Sequence, residues 1–363
     1  MNPNFDVIST RKLVYISVVF FGIFLIGLSS ALLFGPGFSD LFYPHFVYPV
    51  LRQFWWIVSL GNRVDMIYVW IATLILWLFF RLKRVWKLGT GWKGFAAEIT
   101  ALAVLHFSWF YLSWGFLYLQ KPMRDRLELN LPVSRDEYLN ELYATTDRLI
   151  SIRKRLARSN DELGNLHLTE NEIIQLGGRV HQCMLKLGLN RVDAGIVKSV
   201  FPEGTLLVWA ASGVYWPFAG QGYYDPGIDI VQQAFTVAHE YGHVFGWTDE
   251  GECNLIAYLA LQNSDNILWE YNAEYALWRY FMSGLSKNDG EVYSEIIDCL
   301  PEEIRSDQVR VKHKLDAFPE IFSTFRAWFY DFYLKANQVQ GASGSYHQMV
   351  YWKINMDKRK EPL

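Results

Sequence analysis

Charge and cysteine are both scarce in this chain. Only 20% of its 363 residues are charged, and 34 basic against 37 acidic side chains leave a net charge of −3. A soluble domain carries nearer a quarter charged residues, so the shortfall predicts one unusually apolar stretch. The near-balance of sign excludes a basic nucleic-acid binder. The three cysteines, Cys183, Cys253 and Cys299, are too few and odd in number for a disulfide framework, and their spacing fits no zinc ribbon. They read as small buried hydrophobes. No internal repeat or low-complexity run appears, and a hydrophobic content of 51% excludes a disordered chain.

What is present is unevenly spread. Residues 1–123 hold 10 basic and 4 acidic side chains, and residues 124–363 hold 24 and 33. The first part reads as a membrane domain and the second as a mildly acidic globular domain. Leu13 to Phe34 and Ile99 to Gln120 are uncharged runs of 22 residues, each long enough to cross a bilayer core. Met66 to Phe80 is a shorter run that Asp65 and the snorkelling Arg81, Lys83 and Arg84 extend, giving spans at about 13–34, 64–84 and 99–120. Asp40 to Gly61, with Phe54-Trp55-Trp56, reads as an interfacial segment over about 40–61. Arg11 and Lys12 precede the first span, and five basic residues from Arg81 to Lys93 lie between the second and third. The distribution places the N-terminus in the cytoplasm and residues 124–363 outside it.

In the second part, Ser134-Arg135-Asp136-Glu137 and Thr169-Glu170-Asn171-Glu172 are capping boxes that open helices. Thr205 to Ala211, an apolar run between Gly204 and Gly213, reads as a strand, and Tyr215 to Gly227 as a loop. Helical patterns dominate the remainder. The expected fold is a membrane-anchored α+β protein: three transmembrane helices, then a mostly helical domain with a small sheet.

His239-Glu240-Tyr241-Gly242-His243 is an H-E-x-x-H sequence. On a helix, positions i and i+4 project from one face, so both imidazoles can hold one zinc ion. The glutamate beside the first is placed as a general base toward a water polarised by the metal. Asp229 can cap this helix and Gly246 can end it. Glu250 and Asn254, four residues apart in the next helical pattern, offer a third metal ligand and an amide to support a ligating histidine. Glu252 and Asp249 are alternative third ligands. Trp209, Tyr223 and Tyr224 are candidates for a substrate cleft. Tyr346 and His347, after the flexible Gly341–Ser345 lead-in, are candidate oxyanion donors. The strand Thr205 to Ala211 is the candidate edge for an extended peptide.

The spacing from Glu250 to Asn254 resembles the E-x-x-x-D or E-x-x-A-N element of the gluzincins, with Cys253 where alanine is usual. The whole chain resembles a family of bacterial membrane proteins of unknown function, with three N-terminal spans and an extracytoplasmic gluzincin-like domain. The resemblance rests on Trp114-Gly115 with Tyr118, Gly222 to Pro226, His239 to Gly246, Glu250 to Ala260, and Tyr333 to Asn337 with Gly341 and Ser345-Tyr346. Gly251 departs from an acid usual in that family, and the Gly222 loop lacks its usual polar ending. The resemblance implies a zincin fold for residues 124–363 and a multi-pass protein of the bacterial cytoplasmic membrane. With the zinc motif, it sets the expectation of a Zn2+-dependent metallopeptidase acting on protein or peptide substrates. A catalytically silent, zinc-stabilised sensor or assembly protein is the alternative.

Overall fold

A computed structural model describes residues 10–88, 92–157, 160–189, 195–285, 289–321, 323–324 and 342–359. The chain divides into two compact units, Met1–Gln120 with Trp216–Gly220, and Lys121–Tyr215 with Gln221–Leu363.

The first unit is built on α1 (Thr10–Phe34), α2 (Tyr48–Val58), α3 (Met66–Leu88) and α4 (Trp92–Ser113). Helices α1, α3 and α4 are long and apolar enough to cross a membrane, which marks the chain as membrane-anchored. Aromatic rings lock α1 to α4: Phe24 meets Phe107, Tyr111 and Phe116 at centroid separations of 5.3, 5.2 and 6.1 Å. The segment expected at the interface is helical, a wide-turned stretch Gly37–Val47 running into α2. It buries Tyr43, Tyr48 and Arg52 and leaves Phe42, Phe46, Phe54 and Trp56 outward.

The third span differs from the expected 99–120. It starts seven residues earlier and stops at Ser113, where Trp114 leaves the helical region and Gly115–Leu119 forms a tight turn. The early start takes in Glu98, which is buried. Its charge is satisfied inside the bundle by Arg81 and by the Thr10 hydroxyl, so it marks no boundary. Arg81 is accordingly buried against Glu98 instead of snorkelling to a surface.

The second unit runs through α5 (Met123–Arg126), α6 (Arg135–Leu156), α7 (Asn160–Gly164), α8 (Glu170–Lys186), β1 (Val197–Ser199), β2 (Gly213–Trp216) and β3 (Gln221–Tyr224). It continues with α9 (Ile230–Val244), α10 (Glu250–Leu261), α11 (Ile267–Leu285), α12 (Gly290–Cys299), α13 (Glu302–Asp316) and α14 (Ala342–Lys358). Both predicted capping boxes are formed, with Ser134 and Thr169 accepting from the amides of Glu137 and Glu172. The fold is mostly helical with a small mixed sheet of order β1-β3-β2, β1 lying parallel to β3 with Val197 opposite Gly222. Helix α9 is apolar on nearly every side and sits at the centre, packed by α8, α10, α11 and β3.

Two local expectations are overturned. Thr205 to Ala211 is no strand: Leu207–Trp209 is a single 3₁₀ turn. The cause is Asp225, fully buried, whose carboxylate accepts from the amides of Gly204 at 2.8 Å and Leu206 at 2.7 Å and curls the segment around itself. The strands lie instead in the stretch read as a loop, as β2 and β3.

Candidate metal centre

The Asp229 side chain accepts from the Val231 amide and starts α9, so the expected cap is formed. His239 and His243 are then one turn apart, their rings 4.8 Å between centroids and at 84° to each other. What brings the third group to them is close helix packing. Gly242 lies against Cys253 of α10, where an added Cβ would stand 2.9 Å from the sulfur. Only a glycine at that point lets α10 approach closely enough for its first residue, Glu250, to reach the imidazoles.

The His239 and His243 Nε2 atoms stand 3.1 and 3.5 Å from the Glu250 Oε2. One ligand atom from each of the three residues falls within a 4.8 Å group. Ligands about 2.0–2.1 Å from a tetrahedral ion are themselves about 3.3 Å apart, so this spacing fits zinc. The outer nitrogens are occupied. His239 Nδ1 lies 2.7 Å from the Asn254 Oδ1, and His243 Nδ1 lies 2.8 Å from the Trp247 carbonyl. Both partners are acceptors, so each Nδ1 carries the proton and each Nε2 turns a lone pair inward, the tautomer a metal needs.

Burial alone would raise the Glu250 carboxyl, but the facing His243 and His239 bring it well below the usual carboxylate range. The carboxylate is therefore kept in its charged form, the form in which it can ligate a cation. Burial pushes Glu240 up to about 7, against the pull of His243 and His239. Its Oε2 is buried and has no hydrogen-bond partner among the described residues, and β2 passes so close that a Cβ on Gly213 would meet its Oε1 at 2.3 Å.

Of the sequence candidates, His239, His243, Glu250 and Asn254 come together, with Glu240 beside them. Glu252 points away and accepts from the Arg124 amide at 3.3 Å. Asp249 is the cap of α10, accepting from the Glu252 amide at 3.0 Å, with Arg124 at 3.8 Å. Neither belongs to the cluster. Tyr223 and Tyr224 are 0% and 1% exposed and are core residues, not cleft walls, because β3 is covered on both faces. Trp209 is exposed at the end of its 3₁₀ turn. Tyr346 and His347 fall in α14, which is already helical from Ala342, so the flexible lead-in is not formed as expected. Their side chains, like Tyr333–Asn337 and Gly341, lie outside the described residues. The sequence reading missed the Trp247 carbonyl and Gly213. A carbonyl four residues past a ligating histidine is a recognisable partner where the helix ends; the Gly213 contact spans the fold and leaves no local signal.

The fold and this cluster define a membrane-anchored, mostly helical protein with a His-His-Glu group of metal-binding geometry. The chain belongs to the family described as protein of unknown function (DUF3810), which it matches over residues 39–354. No curated protein and no solved structure matches the chain.

Proposed function

We propose that this protein is a zinc metallopeptidase of the bacterial cytoplasmic membrane, with its N-terminus in the cytoplasm and its zincin-like second unit outside. The observation that carries the reading is the inward convergence of two imidazole Nε2 atoms on one Glu250 oxygen, with both Nδ1 atoms tied to acceptors behind them. His239, His243 and Glu250 would hold the ion, which when bound supplies Lewis-acid polarisation of the scissile group and of water. Glu240 is the general base: it takes the proton of the attacking water and delivers it to the leaving amine. Asn254 and the Trp247 carbonyl keep the imidazoles oriented. Strand β2, at the edge of the sheet and against Glu240, replaces Thr205–Ala211 as the edge on which an extended peptide pairs through its backbone.

Glu240 also separates this reading from a silent zinc-stabilised sensor. A structural centre needs ligands alone, and a buried carboxylate oxygen without a partner costs free energy that a purely structural role does not repay. The test uses the full-length protein in detergent micelles, with metal analysis and digestion of mixed peptides. Wild type and Glu240→Gln are expected to retain one zinc per chain, with cleavage about 10²–10⁴-fold slower in the variant. Zinc without base-dependent cleavage would leave the sensor, and no bound zinc would remove the centre.

A further inference from the structure

The second unit contains a cavity of about 800 Å³ between the start of α9, α11 and the end of α13. One turn of α9 separates its lining from the candidate metal centre. Gln232 and Thr236 line it, and Glu240 and His243 follow them on the same face of α9 at helical spacing. Ser212 lines it too, next to the Gly213 that abuts the Glu240 carboxylate. Tyr280 lines a further wall.

One charged group of this cavity is unpaired. Arg279 is exposed, with its guanidinium 5.9 Å from the Tyr275 ring centre. Among the described residues it makes no hydrogen bond or ion pair. The walls include the apolar side chains of Leu207, Phe235 and Phe318. A guanidinium with free donors takes a carboxylate in a forked pair. Apolar walls take a large side chain. A peptide offers both within a few bonds. Asp316 and Glu320 line the same cavity, so a multiply charged phosphate is repelled there more strongly than a singly charged carboxylate.

We propose that this cavity recognises a peptide through one carboxylate held by Arg279. That it selects substrate for the metal centre rests on the peptidase reading; the binding itself needs no turnover.

Binding is therefore measured on full-length Glu240→Gln protein in micelles, by fluorescence anisotropy of dansyl-Leu-Phe-Glu-Leu-amide, dansyl-Leu-Phe-Gln-Leu-amide and dansyl-Leu-Phe-Gln-Leu with a free C-terminus. At least one acid peptide is expected to bind about tenfold tighter than the neutral amide. The tighter of the two acids tells whether a side chain or a C-terminus is the source. Adding Arg279→Gln should erase the preference and leave the neutral affinity unchanged, while Arg279→Lys should keep part of it. Equal binding of all three, no binding of any, or a preference that survives Arg279→Gln would overturn the proposal. Because cleavage is not the readout, absence of peptidase activity in wild type would count against the function and not against this site.

Discussion

The Asn254 side chain touches no part of the proposed reaction, yet it fixes which nitrogen of His239 faces inward. Losing such a partner typically lowers metal affinity about 10–100-fold. Asn254→Ala is expected to do so in a competition assay with a zinc chelator, whereas Asn254→Asp should retain the ion. Glu252 makes a different point at the same scale. Burial and the nearby Asp249 push its carboxyl up from 4.5 to about 8. The charged form is thus disfavoured in the fold relative to the unfolded chain, and this group's contribution to stability is lost as pH rises from about 4.5 through about 8. Glu252→Gln keeps an acceptor for the Arg124 amide and removes the titration. Wild type should lose melting temperature across that window more steeply than the variant, by several degrees at about pH 8.

At the scale of elements, the helix that carries His239 and His243 is held at its start by a buried ionic relay. Asp229 caps α9 and is gripped by Arg310 of α13 at 2.7 Å. Arg310 also binds Asp307 at 2.8 Å, and Asp307, fully buried, accepts from Arg153 of α6 and from the Tyr271 hydroxyl of α11, each at 2.7 Å. One carboxylate therefore ties three helices to the cap of a fourth. Removing one member of such a set strands buried charge, at a cost of about 3–5 kcal/mol. Asp307→Ala is expected to lower unfolding stability by that amount in thermal or urea melts and to loosen zinc retention. Conserved melting behaviour would show that the relay contributes little. The tight packing of α9 on α10 at Gly242 is the second device of this kind, since it converts helix-to-helix distance directly into ligand geometry.

Across the whole molecule the open quantity is sidedness. The excess of basic residues between α3 and α4 and ahead of α1 favours a cytoplasmic N-terminus, although Arg81 is spent on Glu98 within the bundle. Cys299 supplies a probe, being exposed at the end of α12 while Cys253 is buried. A membrane-impermeant maleimide should label wild type in intact cells and should label Cys299→Ser much less. Labelling that appears only after permeabilisation would reverse the orientation.

Much of this protein is dictated locally. Three apolar runs, two capping boxes, the Asp229 cap and the i, i+4 spacing of His239 and His243 each act through the bilayer or through neighbours within one or two turns, so their residues alone suffice to read them. The rest depends on partners distant in sequence. Asp225 reaches back to Gly204 and Leu206 and makes a turn of a run whose β-propensity suggested a strand. Glu98 is tolerated in α4 because Arg81 and Thr10 neutralise it. The choice of Glu250 over Glu252 and Asp249 was open to composition and spacing. The orientation of α10 brings Glu250 alone of the three to the imidazoles, while Asp249 caps the helix and Glu252 turns toward Arg124. Capping and periodicity are short-range and additive, whereas ligand convergence requires two helix axes to meet at one distance and one rotation, which only the packed core sets.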